Sequence, residues 1–411
     1  MLRLSRRIVA RLVALLRADP AGFRAGFGAL LVSTATGLIA GVTLGSITGT
    51  LDRLPGLLLL VPAAVGMRGN VFGALGSRLG TAAHTGAFRL SRRRETLVGQ
   101  NLEAAVLLSM ALALLLAVAA KGFAAAFGVH ESISIADFVV VSVIGGLIPI
   151  AVVMGITVGI TALSVRREWD LDNVTAPVVT AAADTVTLPS LFLATNLVSV
   201  DGVTPILAVL CAVAGVVSLV RGMRSRMPML RSIVRESVSV LFVAGLVSML
   251  AGLTLDGRLE PLLLYPVLLV LVPPLLSLSG SLAGILASRL SSKLHLGLID
   301  PHRFSLRPIA EDVVLVYLLA GAVFTVLGLA AASLGEVLSM ATPGWVDVVE
   351  ATVLAGLLAT TLAGLAGYFG AVVTYRLGLD PDNFGIPIVS SASDLLGAIA
   401  LMLSLVILGL T

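Results

Sequence analysis

The sequence predicts an all-α, polytopic membrane protein with about eleven spans, in which two parallel five-helix repeats form a pseudo-dimer and are joined by a connector transmembrane helix. Composition, long apolar stretches and a duplicated segment support this fold. Of the 411 residues, 58% are hydrophobic and only 12% are charged, whereas soluble domains carry about 25% charged residues. The apolar stretches recur near the roughly 20 residues that a helix needs to cross a bilayer. The lipid bilayer is therefore the expected environment of this chain.

The apolar stretches can be placed along the chain by hydropathy. The predicted spans are roughly 27–51, 55–77, 97–120, 137–164, 174–199, 203–220, 236–255, 262–288, 312–334, 349–374 and 384–410. Residues 1–24 precede them as a basic, amphipathic segment in which Arg11 and Arg17 interrupt any signal-peptide core. We interpret it as a helix lying on the cytoplasmic membrane surface, with a targeting segment as the alternative.

The basic residues lie in the N-terminal segment and in every second connection. All but four of the 27 lysines and arginines follow this pattern, the exceptions being Arg53, Arg68, Lys121 and Arg258. The positive-inside rule then predicts a cytoplasmic N-terminus and an extracytoplasmic C-terminus in a cell membrane. Because the charge is confined to short loops, the net charge of +4 does not indicate nucleic-acid binding. The opposite connections carry acidic residues, which either aid solubility or concentrate cations.

A fifteen-residue segment occurs twice. Residues 170–184 read DLDNVTAPVVTAAAD and residues 380–394 read DPDNFGIPIVSSASD. Each copy leads into an apolar stretch, so its last residue, Asp184 or Asp394, lies inside a hydrophobic helix. A carboxylate is costly there and by default indicates a functional site.

The duplication extends over most of the chain, at an offset of about 210 residues. Residues 62–70 align with 273–281, and each half contains five spans. Directly joined five-span halves would be inverted relative to each other, but the span at 203–220 has no counterpart and restores a common direction. The predicted organisation is a first repeat at 25–200, a connector helix and basic loop at 201–235, and a second repeat at 236–411.

The two aspartates are predicted to face each other near the middle of the membrane. Each lies about ten residues into its span, roughly 15 Å along a helix. Oxygen ligands select hard cations, and Mg²⁺ commonly binds through one or two carboxylates while keeping several waters. We therefore predict a Mg²⁺ site at Asp184 and Asp394; the alternative is a pair of hydrogen-bonded aspartates that stabilise helix contacts.

The start of each duplicated segment supplies a second candidate site. An Asp-x-Asp-Asn sequence there is typical of a helix N-cap, and it could equally hold a hydrated cation at the inner mouth of a pore. Both readings stay open for Asp170, Asp172, Asn173, Asp380, Asp382 and Asn383. In the second span, Asn70 can contact the waters around an ion, and the shorter Ser281 occupies the matching position.

These segments resemble the membrane domain of the MgtE-type magnesium transporters, duplicated in tandem as in solute carrier family 41. The resemblance rests on the glycine-rich segment 62–79 and on both Asp-ended segments. It implies a pore between two five-helix units, hydrated Mg²⁺ held by Asp184 and Asp394, and a pore lining that includes Asn70. Ser281 would alter one side of that lining. Since two repeats replace a homodimer, we expect the protein to be a monomer. The resemblance to transporters also implies that it is not an enzyme.

Magnesium transport has alternatives that would use some of the same residues. Transport of Co²⁺ or Mn²⁺, or Mg²⁺ exchange coupled to Na⁺ or H⁺, could use the same residues. An intramembrane aspartyl protease also uses two membrane aspartates, but those enzymes carry a Gly-x-Gly-Asp segment. Here Ala-Ala-Ala and Ser-Ala-Ser precede the aspartates, which disfavours the protease.

Overall fold

A computed structural model describes residues 20–86, 88, 93–129, 131–167, 171–298, 309–377 and 386–410, and in these ranges the regular structure is helical. The predicted all-α class is confirmed. The helices are α1 (Pro20–Ser46), α2 (Thr48–Arg53), α3 (Leu57–His84), α4 (Leu97–Ala126), α5 (Ile135–Arg167), α6 (Leu171–Thr195), α7 (Val203–Met223), α8 (Pro228–Asp256), α9 (Leu259–Leu264), α10 (Pro266–His295), α11 (Ala310–Val337), α12 (Trp345–Leu377) and α13 (Ile386–Ile407).

Eleven of the helices in the described ranges are long and apolar enough to cross a membrane. Helices suit this environment because they satisfy their backbone hydrogen bonds internally, where no water is available. The two remaining helices, α2 and α9, have six residues each. They interrupt the predicted spans 27–51 and 262–288, so the first span of the sequence ends at Ser46 and the eighth begins at Pro266.

The order of the helices repeats. Helices α1–α6, here termed the first half, correspond in sequence to α8–α13, the second half, and even the short α2 has its counterpart in α9. Helix α7 has none. Equivalent helices are therefore six spans apart, and because six is an even number both halves run in the same direction through the membrane, as predicted.

The first long helix of each half packs against the other half. Helix α1 lies along α10, and α8 lies along α3. At each crossing a glycine allows close approach: a Cβ on Gly41 would lie 2.1 Å from the Val270 carbonyl oxygen, and one on Gly252 would lie 2.3 Å from that of Leu58. This exchange of helices joins the halves into one body and brings α6 and α13 to their interface.

The connector helix α7 packs on the outside of the first half, against α4 and α5. Gly215 lies against Leu114, and Arg221 forms an ion pair with Glu103. The other side of α7 is largely apolar and exposed, as expected for a surface that faces lipid. The amphipathic segment predicted at 1–24 lies almost wholly outside the described residues and stays a prediction.

Candidate functional site

Asp184 lies in the interior of α6, where it is 9% exposed. Its Oδ2 accepts a hydrogen bond of 3.2 Å from the hydroxyl of Ser277, which belongs to α10 of the second half. The Ser277 hydroxyl is also 3.0 Å from that of Ser33 on α1. Two hydroxyls from two helices thus offset part of the cost of burying this carboxylate.

Asp394 occupies the equivalent position in α13. Its Oδ2 accepts a hydrogen bond of 2.9 Å from the hydroxyl of Ser248 on α8. The same oxygen adjoins Gly66 of α3, where a Cβ would lie 3.3 Å from it. Asp394 therefore also contacts the opposite half of the molecule.

The two sites follow one geometric rule. Gly66 and Ser277 are equivalent positions of the repeat, and each adjoins the aspartate of the opposite half. The fold thus places each aspartate at the interface between the halves, beside a hydroxyl or a small residue of the other half or of its own.

Small residues allow the helices around the aspartates to approach closely. Thr180 on α6 lies within 4 Å of the Cβ positions of Gly69 and Gly73 on α3. In the second half, Gly280 on α10 faces Ser390 and Ser393 on α13 in the same way. Small residues at such positions are typical of helix pairs that pack closely in membranes.

The structure describes only some of the other predicted ligands. Asn70 follows Gly69 in α3 and is half-buried, whereas the Ser281 hydroxyl donates to the Ser277 carbonyl oxygen of its own helix, at 2.9 Å. Asp170, Asp380, Asp382 and Asn383 lie outside the described residues, and Asp172 and Asn173 belong to the first turn of α6 without described side chains. The roles assigned to all these residues stay predictions.

The arrangement favours a cation that keeps part of its water. Among the described residues, no group of three or more His, Cys, Asp and Glu side chains is placed to hold a metal ion. The two carboxylates and the serine hydroxyls beside them offer only oxygen ligands, which suit hard divalent cations. Softer metals that prefer imidazole or thiolate would find no such ligands among these residues.

Sequence reasoning missed Ser277 and Ser248, the two serines that donate to the aspartates. The alignment of residues 62–70 with 273–281 already contained a signal for Ser277, because it places that serine opposite Gly66. No comparable signal existed for Ser248, since its proximity to Asp394 follows from the packing of α8 against α13.

A second pair of equivalent contacts lies where the third and fourth helices meet the basic loops. Arg289 and Lys293 form ion pairs with Asp312. In the first half, Arg78 donates a hydrogen bond of 2.8 Å to the Asn101 amide oxygen instead. In both halves these contacts join the ends of neighbouring helices.

Eleven helices in the described ranges that can cross a membrane, together with the internal repeat, define the class as a duplicated, α-helical membrane protein. The family model for MgtE, described as a divalent cation transporter, matches residues 61–194 and 272–404, one segment in each half. The chain belongs to this family, whose members are transporters rather than enzymes.

Characterised relatives carry the name solute carrier family 41. The chain is 26% identical over 392 residues to member 2 from Xenopus laevis, covering 87% of this chain and 66% of that protein. The human member 2 is 25% identical over 385 residues, with 85% and 63% covered. The chain thus spans about two thirds of their length.

A crystal structure of the eukaryotic MATE transporter AtDTX14 matches with a TM-score of 0.31 and 12% identity over 95% and 96% of the two chains. This TM-score is too low to support a conclusion.

Proposed function

We propose that the protein transports Mg²⁺ across the membrane through the interface between its halves, with Asp184 and Asp394 holding the hydrated ion. The observation that carries the proposal is the pairing of these aspartates. Each lies inside a membrane helix, at an equivalent position of the repeat, beside the opposite half. A buried carboxylate pair is unfavourable without a cation, and a divalent ion relieves both burial and repulsion.

Each part of the site has a role in this mechanism. The carboxylates supply the charge that compensates an ion for leaving bulk water. The hydroxyls of Ser277 and Ser248 donate to the aspartates while no ion is bound, which limits the energy of the empty site. Glycines and small residues along α3 and α6 keep bulky side chains away from the path of an ion that retains part of its water.

Ion uptake into proteoliposomes tests this function. We expect wild-type protein to admit Mg²⁺ and the variant with both Asp184→Asn and Asp394→Asn to lose at least about 99% of the flux while remaining folded. Parallel assays with Co²⁺ and with Mn²⁺ identify the transported ion. Assays with imposed Na⁺ and H⁺ gradients show whether transport is coupled to either ion. Wild-type flux in the double variant would refute the site.

A single chain is proposed to form the complete site, because both carboxylates come from the same polypeptide. We further propose the orientation that the basic loops indicate, with the N-terminus in the cytoplasm and the C-terminus outside. A cysteine added after residue 411, in a Cys211→Ala background, should react with an impermeant maleimide from outside in intact cells. Labelling only after permeabilisation would contradict that orientation.

A further inference from the structure

A fully buried arginine lies in the first half, near the middle of α3. Arg68 is 0% exposed. Its Nη1 donates to the Ala64 carbonyl oxygen at 3.0 Å and its Nη2 donates to the Ser142 carbonyl oxygen at 3.1 Å. The Nε atom has no hydrogen-bond partner. None of the carboxylates in the described ranges lies within ion-pair distance of Arg68.

Burying such an arginine in a membrane protein costs free energy. The guanidinium stays charged, and buried charges are normally paired with an opposite charge. Carbonyl oxygens of α3 and α5 compensate only part of that cost. An intramembrane ionisable residue is a functional-site hypothesis by default, and it calls for an opposite charge.

The second half shows that packing does not require this arginine. Ser279 stands at the position equivalent to Arg68, and Phe324 stands at the position equivalent to Ala113. Phe324 packs on Gly356 of α12, where a Cβ would lie 2.1 Å from the phenyl Cγ. The corresponding place in the first half, at Gly145 and Gly146 of α5, is filled by the Arg68 guanidinium, whose Nη2 would lie 2.7 Å from a Cβ on Gly146.

One half therefore fills this space with a phenyl ring and the other with a cation. Since an apolar side chain serves the packing, what the cation adds is its charge. The opposite charges deep in the membrane are those of the aspartate pair. Gly66, two residues before Arg68, adjoins Asp394. Two residues correspond to about 200° around a helix, so the guanidinium lies on the opposite side of α3, on the order of 10–15 Å from that carboxylate.

We infer that Arg68 is a fixed countercharge that sets the affinity of the aspartate pair for its ion and thereby speeds ion release. The inference rests on the function proposed above. A fixed positive charge repels a divalent ion twice as strongly as a monovalent one at the same distance. Salt screens this repulsion little, because the charges are buried. Without Arg68, two carboxylates would hold a divalent ion more tightly and release it more slowly.

The pseudo-twofold symmetry supplies a matched set of variants. Arg68→Ser with Ala113→Phe gives the first half the side chains of the second and removes the charge while keeping the volume. Adding Ser279→Arg and Phe324→Ala to that protein transplants the charge to the equivalent place in the second half. Mg²⁺ uptake into proteoliposomes, measured against Mg²⁺ concentration, compares both variants with the wild type.

We expect the charge-free variant to show a half-saturating Mg²⁺ concentration at least about tenfold lower than wild type, with a reduced maximum rate. The inhibition constant for competing Na⁺ should fall by a smaller factor. The transplanted variant should return to within about threefold of the wild-type half-saturation. A structural role for Arg68 would not be rescued by a charge in the other half.

Two results would overturn the inference in folded protein: an unchanged half-saturation in the charge-free variant, or a transplanted variant that behaves like the charge-free one. Size-exclusion chromatography monitors folding, and Arg68→Met, for which the same shift is expected, replaces the double substitution if that variant aggregates. The aspartate variants are measured alongside. If they transport at the wild-type rate, the proposed function fails; if they are inactive while the charge-free variant matches wild type, only the role of Arg68 fails.

Discussion

The two halves of this protein share a backbone plan and differ in the side chains around their common site. Both exchange their first helix, both cross at a glycine, and both present an aspartate to the opposite half. Around those aspartates the halves diverge: Ser277 faces Asp184 where Gly66 faces Asp394, and Ser248 has Gly37 as its counterpart. The scaffold and the carboxylates are what the repeat retains.

This difference indicates how a duplicated chain can build one site from unequal parts. Two identical subunits would have to carry the same side chain twice around their axis. Fusion removes that constraint, so that one serine can support each aspartate from a different helix. The buried cation is likewise present once, as Arg68, with Ser279 in its place in the other half.

The largest expected effect concerns what the halves share, the two glycine crossings. Gly41→Val and Gly252→Val should each lower the free energy of unfolding by about 3 kcal/mol or more, because the new side chain meets a backbone carbonyl that cannot move aside. Thermal unfolding in detergent would measure this. Gly155→Val is the matched control, since a Cβ at Gly155 has no neighbour within 4 Å. Unaltered stability in either variant would show that the crossings are not equivalent.

A moderate effect is expected from the serines that differ between the halves. Ser277→Ala and Ser248→Ala each remove the donor to one aspartate, which raises the energy of the empty site. The half-saturating Mg²⁺ concentration should therefore fall by roughly ten- to a hundredfold, because one hydrogen bond to a charged group contributes about 1.5–3 kcal/mol. Ser333→Ala serves as the control because its hydroxyl bonds only its own helix, at Leu329. If only one variant differs from this control, the two serines are not functional equivalents.

The smallest effect concerns the helix ends next to the basic loops, where a basic side chain meets a carboxylate in one half and an uncharged amide in the other. Asp312→Asn should lower the free energy of unfolding by about 1–2 kcal/mol, because Arg289 and Lys293 lose their shared carboxylate. Asn101→Asp should raise it by up to about 1 kcal/mol by giving Arg78 a charged partner. Denaturation midpoints of both variants measure these changes. Shifts of the same sign would mean that the two contacts are not counterparts.

Much of the fold was predictable because the bilayer imposes a simple rule on the sequence. Apolar length located the spans, loop charge indicated their direction, and the unmatched stretch at 203–220 implied parallel halves. The short helix Thr48–Arg53 was missed because its composition continues that of α1. The exchange of α1 and α8 was also missed, since hydropathy carries no information about which helices pack together.

The site was predictable only in part. Asp184 and Asp394 were recognisable because a carboxylate in an apolar stretch is rare and because it occurred twice. Ser248 was not, since its contact with Asp394 depends on tertiary packing. Arg68 stood out as a charge within a span. Only the packing of α5 beside it shows that no carboxylate of the described residues lies within ion-pair distance.

The central claim is that one aspartate from each half contributes to a single ion site. The most direct test compares Mg²⁺ uptake by proteoliposomes containing Asp184→Asn, Asp394→Asn or both. The account predicts that each single substitution already reduces flux by about a hundredfold or more, and that the double variant is little worse, because residues that act as a unit show non-additive losses. Single variants that each retain about half of the wild-type flux would contradict it, since the aspartates would then serve two separate pathways.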